Sequence, residues 1–226
     1  MNLKAKLDEV RTEYLNRLNV GGNTLLHEVT KYTTAHNGKM LRPRMLLAAA
    51  ATRGEECLNA RRTLLLAVCV EMLHNASLLH DDVIDLADSR RGRPSVNSHW
   101  GNKTAVLAGD YLLTLTMHIL DEADDREATR RVTRTVKQMV EAELQQLPTD
   151  HCPLPTYLKV IDGKTAALFA TAAALGNPEY EPFGLHYGRL FQLRDDLADG
   201  ELPPFGHELI KQEEDAIKQL DKVLNI

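Results

Sequence analysis

The sequence predicts an all-α protein. Three observations carry that expectation: where the prolines fall, how the apolar residues recur, and which pattern is missing. The prolines, at 43, 94, 148, 153, 155, 178, 182, 203 and 204, leave residues 44–93 and 95–147 without one. A proline inside a helix costs about 3 kcal/mol, so proline-free stretches rich in Ala, Leu, Glu, Arg and Met permit long helices. Apolar residues there recur at a helical period, and no stretch shows strand-like alternation between hairpin turns.

Each element follows from the same pattern. Pro43 suits the first turn of a helix, where its missing N–H costs nothing. Leu64–Leu79 is apolar over most of its surface, as a helix in the middle of a bundle should be. Thr104–Leu120 and Val132–Leu147 are more one-sided, and Lys164–Leu175 is apolar behind its leading lysine. His207–Leu224 has thin apolar spacing (Leu209, Ile210, Ala216, Ile217, Leu220, Val223, Leu224) and reads as a peripheral amphipathic helix. Breaks fall at Asn37-Gly38, Thr52–Glu55, Arg91–Pro94, Pro148–Pro155, Gly176–Pro182 and Gly200–Gly206. No repeat, low-complexity tract or linker divides the chain, so residues 1–226 are expected to form a single domain.

Composition narrows the function classes. The 226 residues are 43% hydrophobic and 26% charged, enough to bury about 70% of the unfolded surface and too apolar for disorder. The 27 basic against 32 acidic residues give a net charge of -5, which argues against a nucleic-acid binder built on general basicity. Cys57, Cys69 and Cys152 are odd in number and contain no CxxC pair, so reduced thiols are expected rather than disulfides or a zinc site. The charged N-terminus MNLKAKLDEVRTEY lacks a signal-type stretch. No uncharged run approaches the roughly 18 residues of a membrane span. A cytoplasmic protein without a membrane span is expected.

Two acidic motifs carry the functional argument. Asp81-Asp82-Val83-Ile84-Asp85 and Asp195-Asp196-Leu197-Ala198-Asp199 are each DDxxD. On a helix, positions i and i+4 share a face, so each motif projects two carboxylates together with a third nearby. Such charge beside apolar sequence (Leu78-Leu79, Leu190-Phe191) is costly unless neutralised. Mg²⁺ does this with hard oxygen ligands, shared between carboxylates and substrate phosphates. One DDxxD arises by chance in roughly one average chain in twenty and can be a solvated patch; two beside apolar helices point to metal–diphosphate chemistry.

Basic residues lie where that chemistry needs them. Gly38-Lys39-Met40-Leu41-Arg42-Pro43 sets a lysine and an arginine three apart at a loop–helix junction, and Arg90-Arg91-Gly92-Arg93-Pro94 follows the first motif. Arginine meets phosphate oxygens with a planar fork, and lysine adds a point charge. His74 shares a helix face with Leu78, Asp81 and Asp85. Lys164-Thr165 leads an apolar helix, an unusual place for a lysine unless it faces a cavity or an anion.

These residues resemble the trans-isoprenyl diphosphate synthases (polyprenyl synthetases). HNASLLHDDVIDLADSRRGRPSVN at 74–97 is similar to that family's first aspartate-rich motif, and FQLRDD with LAD following, at 191–199, to its second. GKMLRP at 38–43 resembles its GKxxRP element, and GKTAALF at 163–169 its Lys-Thr element. The resemblance implies a bundle of long antiparallel helices around a central apolar cavity. It also implies a head-to-tail condensation of isopentenyl diphosphate with an allylic diphosphate in a homodimeric enzyme. By the same likeness, Asp81, Asp82, Asp85, Asp195, Asp196 and Asp199 would hold Mg²⁺ on the allylic diphosphate, with Arg90 binding it as well. Lys39, Arg42, His74 and Arg91 would hold isopentenyl diphosphate. Lys164, Thr165 and Gln192 would contact the allylic end and stabilise developing charge.

In that family the residue five before the first aspartate forms part of the chain-length floor. Ala76, with Ser77 beside it, is small there, so a long polyprenyl product is expected. After Asp199 the sequence departs from the family, which continues with a Lys/Gly-rich stretch and further helices; here Gly200–Gly206 leads to one helix, and the chain reads as C-terminally shortened. Two alternatives follow from the same motifs. A non-catalytic partner subunit would have no physical need for six clustered aspartates. A class I terpene cyclase would not need Lys39, Arg42 and Arg91.

Overall fold

The computed structural model describes residues 3–18, 24–34, 38–145 and 153–220. Cys152, Pro148, the end of the expected Val132–Leu147 helix and residues 221–224 of the last one lie outside them. The chain packs as two compact units, Met1–Arg44 with Leu64–Asp125, and Met45–Thr63 with Arg126–Ile226. The described residues are almost entirely helical.

The first unit contains α1 (Leu3–Arg17), α2 (Thr24–Thr34), the start of α3 (Leu41–Ala51), most of α5 (Arg61–Ile84), α6 (Val96–Trp100) and α7 (Asn102–Ala123). Its core helix is α5, in which Leu65, Leu66, Ala67, Val68, Cys69, Val70 and Met72 are nearly inaccessible. Each large aliphatic side chain so buried contributes about 1.5–3 kcal/mol. That continuous burial explains why the apolar residues circle the helix instead of lining one face. No uncharged run in α5 approaches 18 residues, yet the helix is long and apolar enough to cross a membrane by length and composition alone. Here 72% of its most apolar window is buried inside the fold, the behaviour of a core helix.

One break is more structured than the sequence suggested. Residues 89–94 form a two-stranded antiparallel hairpin, β1 (Ser89–Arg90) with β2 (Arg93–Pro94), pairing Arg90 with Arg93. Its two-residue loop, Arg91-Gly92, has φ of 53° and 75°, the left-handed pair that a right-twisted hairpin requires. Ser95 then caps α6, its Oγ accepting from the Ser98 N–H at 3.3 Å.

The second unit holds the rest of α3, α4 (Glu55–Asn59), α8 (Arg126–Leu144), α9 (Leu154–Ile161), α10 (Ala167–Gly176), α11 (Glu181–Asp199) and α12 (Gly206–Leu220). All ten residues of α10 are buried. Its last carbonyls are capped by arginines, Arg62 Nη1 reaching Leu175 O at 3.2 Å and Arg53 Nη1 reaching Gly176 O at 3.5 Å, cations that also suit a helix C-terminus. α12 packs on α11 through Leu193 and Leu209, beside Tyr157 and Ile161 of α9.

The sequence placed Lys164 at the start of one helix to Leu175. Instead, Asp162–Ala166 form a π-helical turn and α10 starts at Ala167. Single π turns interrupt α-helices frequently at functional sites. Gly163 lets this turn lie close on α8, since a Cβ there would fall 2.5 Å from Ala142 Cβ and 3.0 Å from Gln138 O.

Candidate active site

In the first unit, α5 carries the first aspartate motif to its own C-terminus. The helix ends at Ile84, so Asp85 stands in the following turn and not on the helix as expected. Its N–H still bonds Asp81 O at 2.8 Å, which keeps the two carboxylates about one helical turn apart. Asp85 is exposed and Asp81 half-buried. Asp82 differs: it is 3% exposed, and one oxygen accepts both Nε (2.8 Å) and Nη2 (2.5 Å) of Arg90. The turn after the motif is tied by neighbours that sequence reasoning missed. Asn97 Nδ2 donates to Asp82 O (3.0 Å) and Ala87 O (3.1 Å), and Ser95 Oγ to Ala87 O (2.6 Å).

The hairpin presents the arginines. A Cβ on Gly38 would lie 2.7 Å from Arg91 Nη2, so the glycine of the GKxxRP-like element seats the guanidinium of the RRGRP element. Arg93 lies over the Tyr32 ring, 4.0 Å from its centroid, and Tyr32 OH donates to Pro94 O at 2.8 Å. Lys39 is exposed, whereas Arg42 is 8% exposed. A small cavity of about 60 Å³ is lined by Asn75, Leu78, Asp82, Arg90 and Arg91 among others. Met40, Leu86 and Arg91 all have positive φ (48°, 52°, 53°). Each costs of order 1–3 kcal/mol, and such strain clusters at functional sites.

Burial first, then Arg42, Arg91 and Arg90, hold the His74 imidazole well below its ordinary pKa, so it is neutral near pH 7. Beside it is a carboxylate that the sequence reading passed over. Glu71 is buried, and burial raises its pKa against the opposing pull of Arg42 and Arg91 and the hydrogen bond from Asn75. An acid inside the otherwise apolar run LLLAVCVEML was the available signal. Ala76 is 0% exposed and Ser77 half-buried, its Oγ donating to His74 O.

In the second unit, Asp195 and Asp199 are exposed on α11 and Asp196 is half-buried. Asp196 is held on both oxygens: Tyr157 OH donates to Oδ2, and Gln192 Nε2 to Oδ1 at 2.7 Å. Thr165 Oγ in turn donates to Gln192 Oε1 at 2.6 Å, so Thr165, Gln192 and Asp196 form one chain of hydrogen bonds. Lys164 Nζ lies 3.0 Å from Glu143 on α8. Tyr157 and Glu143 gave no local signal, because their roles come from partners far along the chain.

Among the described residues no three His, Cys, Asp or Glu side chains form a ready-made metal cluster. Mg²⁺ does not need one. It keeps several waters and commonly takes one or two carboxylates with substrate phosphates, a requirement that half-buried Asp81 and exposed Asp85 fit in the first unit, and exposed Asp195 and Asp199 in the second.

The sequence matches the polyprenyl synthetase family over residues 23–204. It is 41% identical over 187 residues to an all-trans-nonaprenyl-diphosphate synthase (geranyl-diphosphate specific) of Rhodobacter capsulatus, covering 77% of this chain and 57% of that protein. A decaprenyl diphosphate synthase structure from Rhodobacter capsulatus superposes with a TM-score of 0.82 at 33% identity, over 87% of this chain and 64% of that one. A polyprenyl synthase from Caulobacter crescentus, solved with calcium and isoprenyl diphosphate, gives 0.79 at 31% identity, over 85% and 62%. The chain thus spans less than two thirds of these relatives' lengths. With both aspartate motifs, the GKxxRP-like element and the Lys-Thr turn inside the matched region, the chain belongs to the polyprenyl synthetase family.

Proposed function

We propose that this chain is a trans-prenyltransferase of the cytoplasm, its residues 1–226 acting as one catalytic domain and assembling as a homodimer. It condenses isopentenyl diphosphate with an allylic diphosphate to give a long polyprenyl diphosphate. The observation that carries the reading is the meeting of the first aspartate motif, the RRGRP hairpin and the GKxxRP-like element: Arg90 grips Asp82, and a Cβ on Gly38 would lie 2.7 Å from the Arg91 guanidinium. Arg42, Arg91 and Arg90 oppose the protonation of the His74 imidazole, and guanidinium forks of this kind suit diphosphate oxygens.

In this reading, Lys39, Arg42, His74 and Arg91 bind isopentenyl diphosphate and orient its alkene, which is catalysis by positioning. Asp81, Asp85, Asp195 and Asp199 supply carboxylates to Mg²⁺. Asp82 and Asp196 have oxygens already taken by protein donors and hold their motifs in shape. Arg90, Lys164, Thr165 and Gln192 contact the allylic diphosphate, Lys164 contributing charge where negative charge develops. When bound, Mg²⁺ neutralises the diphosphate and makes it a better leaving group. The tail grows past Ala76 and Ser77, whose small side chains leave room for length. The nonaprenyl and decaprenyl synthases among the similar proteins support a long product.

The deciding assay is purified chain with Mg²⁺, an allylic diphosphate and labelled isopentenyl diphosphate. Elongation by five-carbon units is expected, and Ala76→Phe shortens the product. A cyclic hydrocarbon without isopentenyl label would mark a cyclase. Silence broken only by adding a second synthase would mark a partner subunit.

A further inference from the structure

α12 lies beyond the family-matched residues 23–204, yet it carries a buried acid. Its packed face is Gly206, Leu209 and Glu213, at i, i+3 and i+7. Glu213, 5% exposed, occupies a place where an amphipathic helix ordinarily puts an apolar residue. A carboxylate so buried is costly unless paired. His186 Nδ1 lies 2.5 Å from one of its oxygens and Arg189 Nη1 3.5 Å from the other, both from α11. The rest of the Arg189 fork grips Asp162, Nε to Oδ1 at 2.5 Å and Nη2 to Oδ2 at 2.7 Å. Asp162 is the first residue of the π turn that carries Lys164 and Thr165.

A π turn is an uncommon register that its surroundings must hold in place. A bidentate guanidinium–carboxylate pair fixes Asp162 in direction as well as distance, and a second acid behind the guanidinium keeps the fork aimed. We propose that Glu213 is a positioning residue: through Arg189 and Asp162 it fixes the π turn, and so sets the affinity for the diphosphate that Lys164 and Thr165 bind. The affinity half of this proposal rests on the prenyltransferase reading; the positioning half does not.

The test is Glu213→Gln in the full chain, with Glu214→Gln as control. Glu214 pairs with exposed Arg194 at 2.8 Å. In Glu213→Gln, KM for the allylic diphosphate rises about tenfold, while KM for isopentenyl diphosphate and kcat stay within about twofold. Amide hydrogen exchange across residues 162–167 quickens about tenfold, with α7 unchanged. Glu214→Gln shifts neither. Equal rises in both KM values, or unchanged exchange at 162–167, overturn the proposal. If Glu213→Gln fails to fold, Arg189→Lys, which keeps the charge and loses the fork, must show the same split. A wild-type chain that elongates nothing sinks the prenyltransferase reading, and exchange alone then decides whether Glu213 holds the turn.

Discussion

The two aspartate motifs have the same spelling and different supports. In the first, Asp82 is buried against a charged partner, both Arg90 donors converging on one oxygen. In the second, half-buried Asp196 is held by neutral donors, Tyr157 and Gln192, one on each oxygen. In both, the central aspartate is engaged by the protein and the last one, Asp85 or Asp199, is exposed. A DDxxD motif here is thus a held central carboxylate followed by an exposed last one. An anchor set by charge makes its motif depend on that charge. An anchor set by neutral hydrogen bonds tolerates an amide.

The largest effect should come from breaking the outward half of the comparison. Asp85→Ala removes an exposed carboxylate, so melting should move little, while turnover in the Mg²⁺-dependent assay drops by about 10³, a loss of about 4 kcal/mol of transition-state stabilisation. Activity within tenfold of wild type would show that Asp85 carries no metal. The anchors come next. Asp82→Asn keeps the acceptor for Arg90 but loses the charge, at a cost of about 2 kcal/mol in denaturant unfolding. Asp196→Asn keeps an oxygen for Gln192 and an amide for the Tyr157 hydroxyl, at a cost of about 1 kcal/mol or less. Equal costs would erase the distinction between the two supports.

How far the sequence revealed this arrangement depended on range. The proline gaps and all-round apolar run that define α5 are local, and the helix is where they predict it. DDxxD, RRGRP and GKMLRP are also local, and the structure brings Gly38 against Arg91 and groups Arg42, Arg90 and Arg91 electrostatically around His74. The π turn could not be read from composition, and the close approach of Gly163 to Ala142 that accompanies it joins residues 21 apart in the chain. The hairpin strands are two residues each, too short for a period of two to register. Tyr157 and Asp196 are 39 residues apart, so no local rule pairs them. Glu71 was readable and is the instructive miss: an acid in a buried helix always needs an explanation.

The last comparison concerns His74, and it tests whether the first unit's basic cluster faces an anion. Burial and three arginines keep this imidazole neutral, so its proposed service to a diphosphate is a neutral N–H. His74→Gln preserves such a donor and should stay within about threefold of wild type, whereas His74→Phe should raise KM for isopentenyl diphosphate about tenfold, or 1.4 kcal/mol. The pH dependence follows from the same depression. Below the ordinary histidine range of about 6.5, the unfolded chain takes up a proton that the folded chain refuses, so wild-type stability falls as pH drops. His74→Gln lacks this proton linkage. The stability difference between the two, followed by urea unfolding, should therefore be constant above about pH 7.5 and shift in favour of the glutamine variant as pH falls towards 5. A difference that stays flat across that window would mean the imidazole is as easily protonated in the fold as in water. The arginines would then not be opposing its charge, and the neutral N–H proposed to serve a diphosphate there would be lost.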